Sequence, residues 1–251
     1  MLDSSKFMLP KFDLDKIKFA VDPPTFAKAV GLYEDGKVKN FKEGISSYSA
    51  VVEGGKKYHV SIEARRFGLG CCDCYLGQND QLCKHLVALS LYAVLAGKPI
   101  PDDDKKINTE IQCSGRLGEL SEAEIAGVKK TISEAIKYVK SYGDSSRTWF
   151  AYQDSLSEGC NRLMAVVSDL PVSLQTAKLL IKTLLRLDKK LCTGGVDDSD
   201  GTVGGFIQEG VEVLKEFVQL DKSIINGFEL LCKQSTCFGW EESLVRMYDE
   251  R

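Results

Sequence analysis

The sequence has no apolar run of the about 18 residues that a membrane-spanning helix requires, so we expect no membrane partner. Its first ten residues also lack a basic segment followed by an apolar one, which is the pattern of a secretory signal peptide. We therefore expect a cytoplasmic protein, or a nuclear one if the organism is a eukaryote.

Charge of one sign is not in large excess. The net charge of −3 argues against a chain built entirely to hold nucleic acid. Residues 1–111 have 16 Lys and Arg against 15 Asp and Glu, whereas residues 112–251 have 17 against 21. This asymmetry favours two parts of different character without selecting a partner.

Histidine is scarce, and a nucleotide-binding motif of the Gly-Lys-Ser/Thr type is missing from the sequence. His59 and His85 are the two histidines. Because His85 belongs to a metal motif described below, one histidine is left for acid–base chemistry. We therefore expect a protein that is not an enzyme. An enzyme whose site lies in the second half of the chain, without a recognisable motif, stays as a third alternative.

Cysteine, in contrast, is abundant. The chain has nine cysteines, an odd number, and a protein of this length needs no disulfides to fold. Four of them lie between positions 71 and 83, which favours a metal site over disulfides. The others are expected to be small buried hydrophobic residues: Cys113, Cys160, Cys192, Cys232 and Cys237.

The metal motif is Cys72-x-Cys74, eight residues, and then Cys83-x-His85. Zinc prefers four such ligands in a tetrahedron, and catalytic zinc keeps one position open, whereas this motif supplies four protein ligands. The sequence therefore predicts one structural Zn²⁺. Cys71 is expected to point away from Cys72, although the sequence leaves open whether it takes part. His59 is expected on the solvent side of a strand.

The first half of the chain mixes helical and strand patterns. The predicted elements are a short helix over residues 26–30 ended by Gly31, a hairpin over 32–41, a second hairpin of 50–53 and 57–64, and a helix over 83–96. The turn of the first hairpin is placed at Asp35-Gly36 and that of the second at Gly54-Gly55.

The second half is predicted to be helical. Ser121 and Glu124 form a capping-box pattern, followed by apolar residues at helical spacing. Further helices are predicted near residues 146–168, 173–190, 204–219 and 222–233. The predicted fold is α+β, with a zinc domain over residues 1–98, a linker over 99–115 and a helical bundle or helical-hairpin array over 116–251.

This arrangement resembles the SWIM zinc finger over residues 26–95. A hairpin with a Tyr58-x-Val60-x-Ile62 strand precedes Cys-x-Cys, a loop, Cys-x-His and an apolar helix. In that family the four Cys and His residues bind one zinc in a ββα arrangement. The module is regarded as a unit that binds DNA or other proteins, and it occurs beside Swi/Snf-type ATPases and Mutator-type transposases. Residues 112–251 resemble neither the ATPase nor the transposase domains.

The resemblance implies DNA binding, and a protein-interaction adaptor that uses the helical domain is the alternative. Basic residues near the zinc motif are candidates for phosphate contacts: Lys56, Lys57, Arg65, Arg66 and Lys84. The oligomeric state is left open. A loop over residues 197–201 is rich in aspartate, and we expect it to cap the following helix rather than to bind calcium, because Val196 and Ile207 stand where a calcium loop needs acids.

Overall fold

The computed structural model describes residues 9–105, 110–143 and 149–251. The chain divides into two compact units, Met1–Ile107 and Asn108–Arg251. The division falls within the segment predicted as a linker, of which residues 106–109 lie outside the described part. A small antiparallel sheet with helices is followed by a largely helical unit, so the fold class is α+β.

The first unit is built around a four-stranded antiparallel meander in the order β1-β2-β3-β4. Helix α4 packs against β2 and β3 on one side and against α2 on the other. The elements are α1 (Leu14–Phe19), α2 (Pro23–Glu34), β1 (Val38–Glu43), β2 (Ser47–Glu53), β3 (Lys57–Glu63), a 3-10 turn (Phe67–Leu69), β4 (Cys71–Cys72), α3 (Tyr75–Gln78), α4 (Lys84–Leu95) and α5 (Asp102–Lys105).

The hairpin predicted around Gly54-Gly55 is confirmed as β2 and β3. Val52 pairs with Tyr58, and Ala50 pairs with Val60. Alternate residues face the core because side chains on a strand have a period of two. Val52 and Val60 are accordingly buried on the face that α4 covers.

The hairpin predicted around Asp35-Gly36 is wrong. Helix α2 continues through Gly31 to Glu34, and Asp35-Gly36 is the turn that leads into β1. The helix continues because Tyr33 extends its buried face three residues beyond Val30, and this burial outweighs the weak helix propensity of glycine. The Tyr33 hydroxyl also donates a hydrogen bond to the Lys98 carbonyl oxygen at 2.6 Å.

The second unit is made of helices, as predicted. Ser121 and Glu124 form the predicted capping box: the Glu124 carboxylate accepts the Ser121 backbone N–H at 2.8 Å, and the Ser121 hydroxyl accepts the Glu124 N–H at 3.4 Å. The elements are α6 (Glu122–Ile136), α7 (Trp149–Ser168), α8 (Leu174–Cys192), α9 (Thr202–Leu220), a 3-10 helix (Lys222–Leu231) and α10 (Glu242–Asp249). The start predicted for α7 near residue 146 lies outside the described residues.

Each unit has its own hydrophobic core. Leu163 of α7, Leu184 of α8 and Phe217 of α9 are fully buried together in the second, and Phe26 and Leu89 are fully buried in the first. None of the helices in the described segments has the length and apolarity needed to cross a bilayer.

The prediction for the five scattered cysteines is right for Cys160, which is buried. It is wrong for Cys192 and Cys237, which form a disulfide, and for Cys232, which is exposed, whereas Cys113 is only partly buried. The paired cysteines are 45 residues apart in the sequence, so no local sequence pattern predicts the disulfide. The fold brings the two residues together.

Candidate metal centre

The first two ligands of the predicted motif come from the end of the sheet. Cys72 is the last residue of β4 and pairs with Val60 of β3. Because neighbouring side chains of a strand face opposite sides, Cys72 is buried while Cys71 is exposed. Cys71 lies outside the group of convergent sulfur and nitrogen atoms among the described residues, so it is not a ligand in this arrangement.

Cys74 lies at the N-cap of α3, where its sulfur accepts the Gly77 backbone N–H at 3.3 Å. Gly77 has no room for a side chain: a Cβ atom there would lie 2.4 Å from the Cys72 carbonyl oxygen. The turn that follows Cys74 therefore folds tightly against Cys72, which holds the two sulfur atoms on the same side.

The second pair of ligands begins α4. Cys83 occupies the N-cap position, but its side chain does not cap the helix. The sulfur instead lies 3.9 Å from Nδ1 of His85, which is in the first turn of the helix. Both side chains are buried at the point where α4 packs against the sheet.

The four side chains converge on one point. Ligand atoms of Cys72, Cys74, Cys83 and His85 all lie within 4.8 Å of one another, and we call these residues the metal cluster. Nδ1 of His85 is 3.7 Å from the Cys72 sulfur and 3.9 Å from the Cys83 sulfur. Zinc–sulfur and zinc–nitrogen bonds at tetrahedral angles require a separation of about 3.6 Å. The residues therefore fit a tetrahedral metal ion.

The His85 ring is held in a single orientation by the β2–β3 hairpin. It stacks on the Tyr58 ring with centroids 4.1 Å apart. On the other edge, a Cβ atom at Gly54 would lie 3.1 Å from Nε2. Nε2 is buried without a hydrogen-bond partner in the described part of the chain. Nδ1 is thus the nitrogen that faces the sulfur atoms.

The thiols of the metal cluster are coupled to one another. The hydrogen bond from the Cys72 side chain, assisted by that from His85, lowers the pKa of the Cys83 thiol to about 4. The same hydrogen bond to Cys83, together with burial, raises the pKa of Cys72. Of the two coupled thiols, Cys83 is thus the one that ionises more easily, and a metal ion that binds here displaces thiol protons.

Asp73, between the first two ligands, fixes this segment to β3. Its carboxylate accepts the His59 backbone N–H at 3.0 Å and lies 3.0 Å from Nδ1 of the same residue. The backbone N–H of His59, and then its side chain, lower the pKa of Asp73. His59 is exposed, as predicted. Sequence reasoning missed Asp73, although its position opposite His59 follows from the pairing of β3 with β4.

The five basic residues singled out in the sequence do not form one patch. Lys56 and Lys57 lie in and after the β2–β3 turn, and Lys84 directly precedes the His85 ring that packs against this turn. Arg65 and Arg66 follow the opposite end of β3, which is about 20 Å away along seven residues of strand. Lys57 also lies 3.7 Å from Glu53 in an exposed ion pair.

The aspartate-rich loop caps α9, as predicted. The two carboxylate oxygens of Asp198 accept the backbone N–H groups of Val203 and Gly204 at 2.7 and 2.8 Å. Both oxygens are therefore used within the fold.

Comparison with known proteins gives no match: no family model, no curated protein and no solved structure is similar to this chain.

Proposed function

We propose that the metal cluster binds one structural Zn²⁺ ion. The observation that supports this is the burial of three cysteines and one histidine, each 7% exposed or less, with their ligand atoms turned toward one another. Three sulfurs and one nitrogen match the preference of zinc, and four protein ligands leave no open position for a substrate. Zinc in this place holds β4 to the start of α4.

Elemental analysis of the purified full chain tests whether the metal cluster binds zinc. About one zinc per chain is expected in protein prepared without chelators. A Cys74→Ser variant should lose this zinc, while a Cys71→Ser variant, changed on the opposite face of the same segment, should keep it. Zinc content that falls equally in both variants, or is missing from the wild type, contradicts the assignment.

We further propose that the zinc domain is a non-enzymatic module that binds DNA. Lys56, Lys57 and Lys84 support this because they share the end of the domain where the hairpin turn meets the metal cluster. Three cations at one end can contact successive phosphates, and each contact adds affinity that depends on salt.

The structure offers a matched control for this proposal. A Lys56→Gln, Lys57→Gln, Lys84→Gln variant removes the charges at the hairpin end, and an Arg65→Gln, Arg66→Gln variant removes charges from the far end of β3. Fluorescence anisotropy with random-sequence duplex across a salt series measures both. The first variant should lower the slope of log affinity against log salt by about 0.9 for each phosphate that is no longer neutralised. The Arg65→Gln, Arg66→Gln variant should lower this slope less.

A protein-interaction adaptor that uses the helical domain is the second candidate, and in the first unit the exposure of Tyr75 and Leu76 favours a protein contact as well. These side chains are 80% and 40% exposed directly after the ligand Cys74. Large exposed apolar side chains, and aromatic ones above all, are enriched at protein interfaces. If the wild type fails to bind duplex at about 50 mM salt, where the phosphate contribution is strong, DNA binding is excluded and the adaptor takes its place.

A further inference from the structure

A disulfide in the helical unit joins two elements that are distant in sequence. Cys192 is the last residue of α8, and Cys237 lies in the segment of residues 232–241 that leads to α10. We call residues 232–241 the connecting segment. The two Cα atoms are 5.6 Å apart, which is an ordinary separation for a disulfide.

The buried carboxylate of Asp188 positions both cysteines independently of the sulfur–sulfur bond. Asp188 lies one helical turn before Cys192 and is 5% exposed. One of its oxygens accepts the Cys237 backbone N–H and the Trp240 indole N–H, each at 3.0 Å. Its other oxygen lies 3.5 Å from the Cys192 sulfur, where a reduced thiol can donate to it. These contacts favour proximity of the two cysteines when the sulfur–sulfur bond is broken, although without its covalent restraint.

The two cysteines differ in access to solvent. Cys192 is exposed at the end of α8, whereas Cys237 is only partly exposed. Exposed disulfides exchange with small thiols more readily than buried ones. Cys192 is therefore the sulfur that a reagent in solution reaches, and Cys237 is the neighbour that completes the exchange.

We propose that Cys192 and Cys237 form a reversible thiol–disulfide switch. In the oxidising direction the Cys192 thiolate attacks a low-molecular-weight disulfide such as glutathione disulfide, forming a mixed disulfide and releasing one glutathione thiolate. The Cys237 thiolate then attacks the Cys192 sulfur, forming the internal disulfide and releasing the second. The two protein thiols lose two electrons and two protons, and both pass to the two glutathione molecules. Excess glutathione reverses the sequence.

The switch acts on one wall of a groove. The residues that follow Cys237, including Phe238 and Trp240, line a groove of about 640 Å³ together with Ile207 and Val211 of α9. In the oxidised chain this wall is covalently tied to α8. In the reduced chain it is attached at this point through hydrogen bonds to Asp188: the Cys237 and Trp240 N–H groups donate to the carboxylate, and the Cys237 thiol lies 3.8 Å from the carbonyl oxygen. Oxidation therefore decides how firmly the wall of the groove is held.

Equilibration of the zinc-loaded full chain in glutathione buffers tests the switch. After acid quenching and alkylation, mass spectrometry of the peptides measures the state of each cysteine. Cys192 and Cys237 should oxidise together over the same range of glutathione ratios. In a Cys237→Ser variant the mixed disulfide of Cys192 should accumulate about tenfold over the wild type, because the resolving thiol is missing.

Cys232→Ser is the matched control, since Cys232 is an exposed free cysteine near the start of the connecting segment. In the Cys232→Ser variant, Cys192 and Cys237 should oxidise over the same range of glutathione ratios as in the wild type. Limited proteolysis supplies an independent measurement: cleavage within residues 232–241 should be about tenfold faster in the reduced chain. Independent oxidation of the two cysteines, no mixed disulfide in Cys237→Ser, or equal cleavage of the two redox states overturns the proposal.

Discussion

The Tyr58 ring stacks on the His85 ring with an interplanar angle of 26°. Tyr58 lies on β3 and His85 in the first turn of α4, so this contact joins the hairpin to the helix. Gly54 closes the other edge of the imidazole, where a Cβ atom would lie 3.1 Å from Nε2. The protein thus presents Nδ1 to the cysteines through packing, which is the role that surrounding residues play at metal sites.

A Gly54→Ala substitution should weaken zinc binding. The added methyl group meets Nε2 and the Tyr58 ring, which lies 3.4 Å from the same position, so the imidazole must shift. Because the overlap is only a few tenths of an ångström, we expect an effect at the lower end of that for disturbed ligand orientation, a loss of zinc affinity of about 10-fold or less. Competition against a chromophoric chelator measures the change.

Gly55→Ala is the control for this prediction, because a Cβ atom at Gly55 meets nothing within 4 Å. Both variants add one methyl group to the same turn, so general effects on the hairpin should be similar. Equal zinc affinities for the two would show that Gly54 does not position the His85 ring.

The metal cluster was predictable from the sequence because its pattern is local. The motif has two pairs of ligands, each pair one residue apart, with a loop of eight residues between the pairs. It can be recognised with little knowledge of the rest of the fold. The contacts that orient the ligands were not predictable in this way. Tyr58 and Gly54 reach His85 only after the hairpin packs on α4, and Asp73 pairs with His59 only through the β3–β4 register.

The prediction of secondary structure was wrong where a local sequence signal and the burial of a side chain favoured different structures. Gly31 is a weak helix former and was expected to end a helix, but α2 continues because Tyr33 is buried. The pairing of Cys192 with Cys237 is invisible in the sequence for a related reason. It depends on the connecting segment returning to the end of α8.

The capping box of α6 predicts a specific pH dependence. The Ser121 hydroxyl, and then its backbone N–H, lower the pKa of Glu124 below its ordinary value of 4.5. Since the folded-state pKa is below the unfolded one, ionised Glu124 stabilises the fold above pH 4.5. This contribution disappears as the pH falls through the lower, folded-state value. Thermal melts of the wild type and of Glu124→Gln should differ at pH 7 and converge in acid.

Glu122→Gln removes the same charge from the same first turn of α6 without touching the capping hydrogen bonds. The difference between the two variants therefore isolates the capping box from the general interaction with the helix dipole. A wild type and a Glu124→Gln variant that differ by the same amount at pH 7 and pH 3 would contradict the prediction.

Asp188→Ala should destabilise the helical unit by about 3 kcal/mol in reducing buffer, because the N–H groups of Cys237 and Trp240 lose their acceptor in a buried site. Asp188→Asn keeps one acceptor oxygen and should lose less stability. Urea unfolding followed by helical circular dichroism gives the free energies, and Trp240 fluorescence, measured in a Trp149→Phe background, reports on the local change. Equal stability of the two variants would show that the hydrogen bonds contribute little.

Removal of zinc should unfold the first unit and leave the second folded. Sulfur atoms of the metal cluster belong to the core of the first unit, and the helical unit has a separate core. Structural zinc contributes on the order of 10 kcal/mol of folding free energy in small domains, which is comparable to the whole stability of a typical domain, about 5–15 kcal/mol. The Cys74→Ser variant should therefore lose the sheet while circular dichroism still shows strong helix.

Cys71→Ser should melt like the wild type, because Cys71 is exposed and lies outside the metal cluster. Hydrogen exchange resolved by peptide separates the outcomes. Fast exchange confined to residues 9–105 of Cys74→Ser supports two independently stable units, with zinc supplying the stability of the first. Fast exchange throughout both units would show one cooperative structure, and slow exchange throughout would show that the first unit does not need the metal to fold.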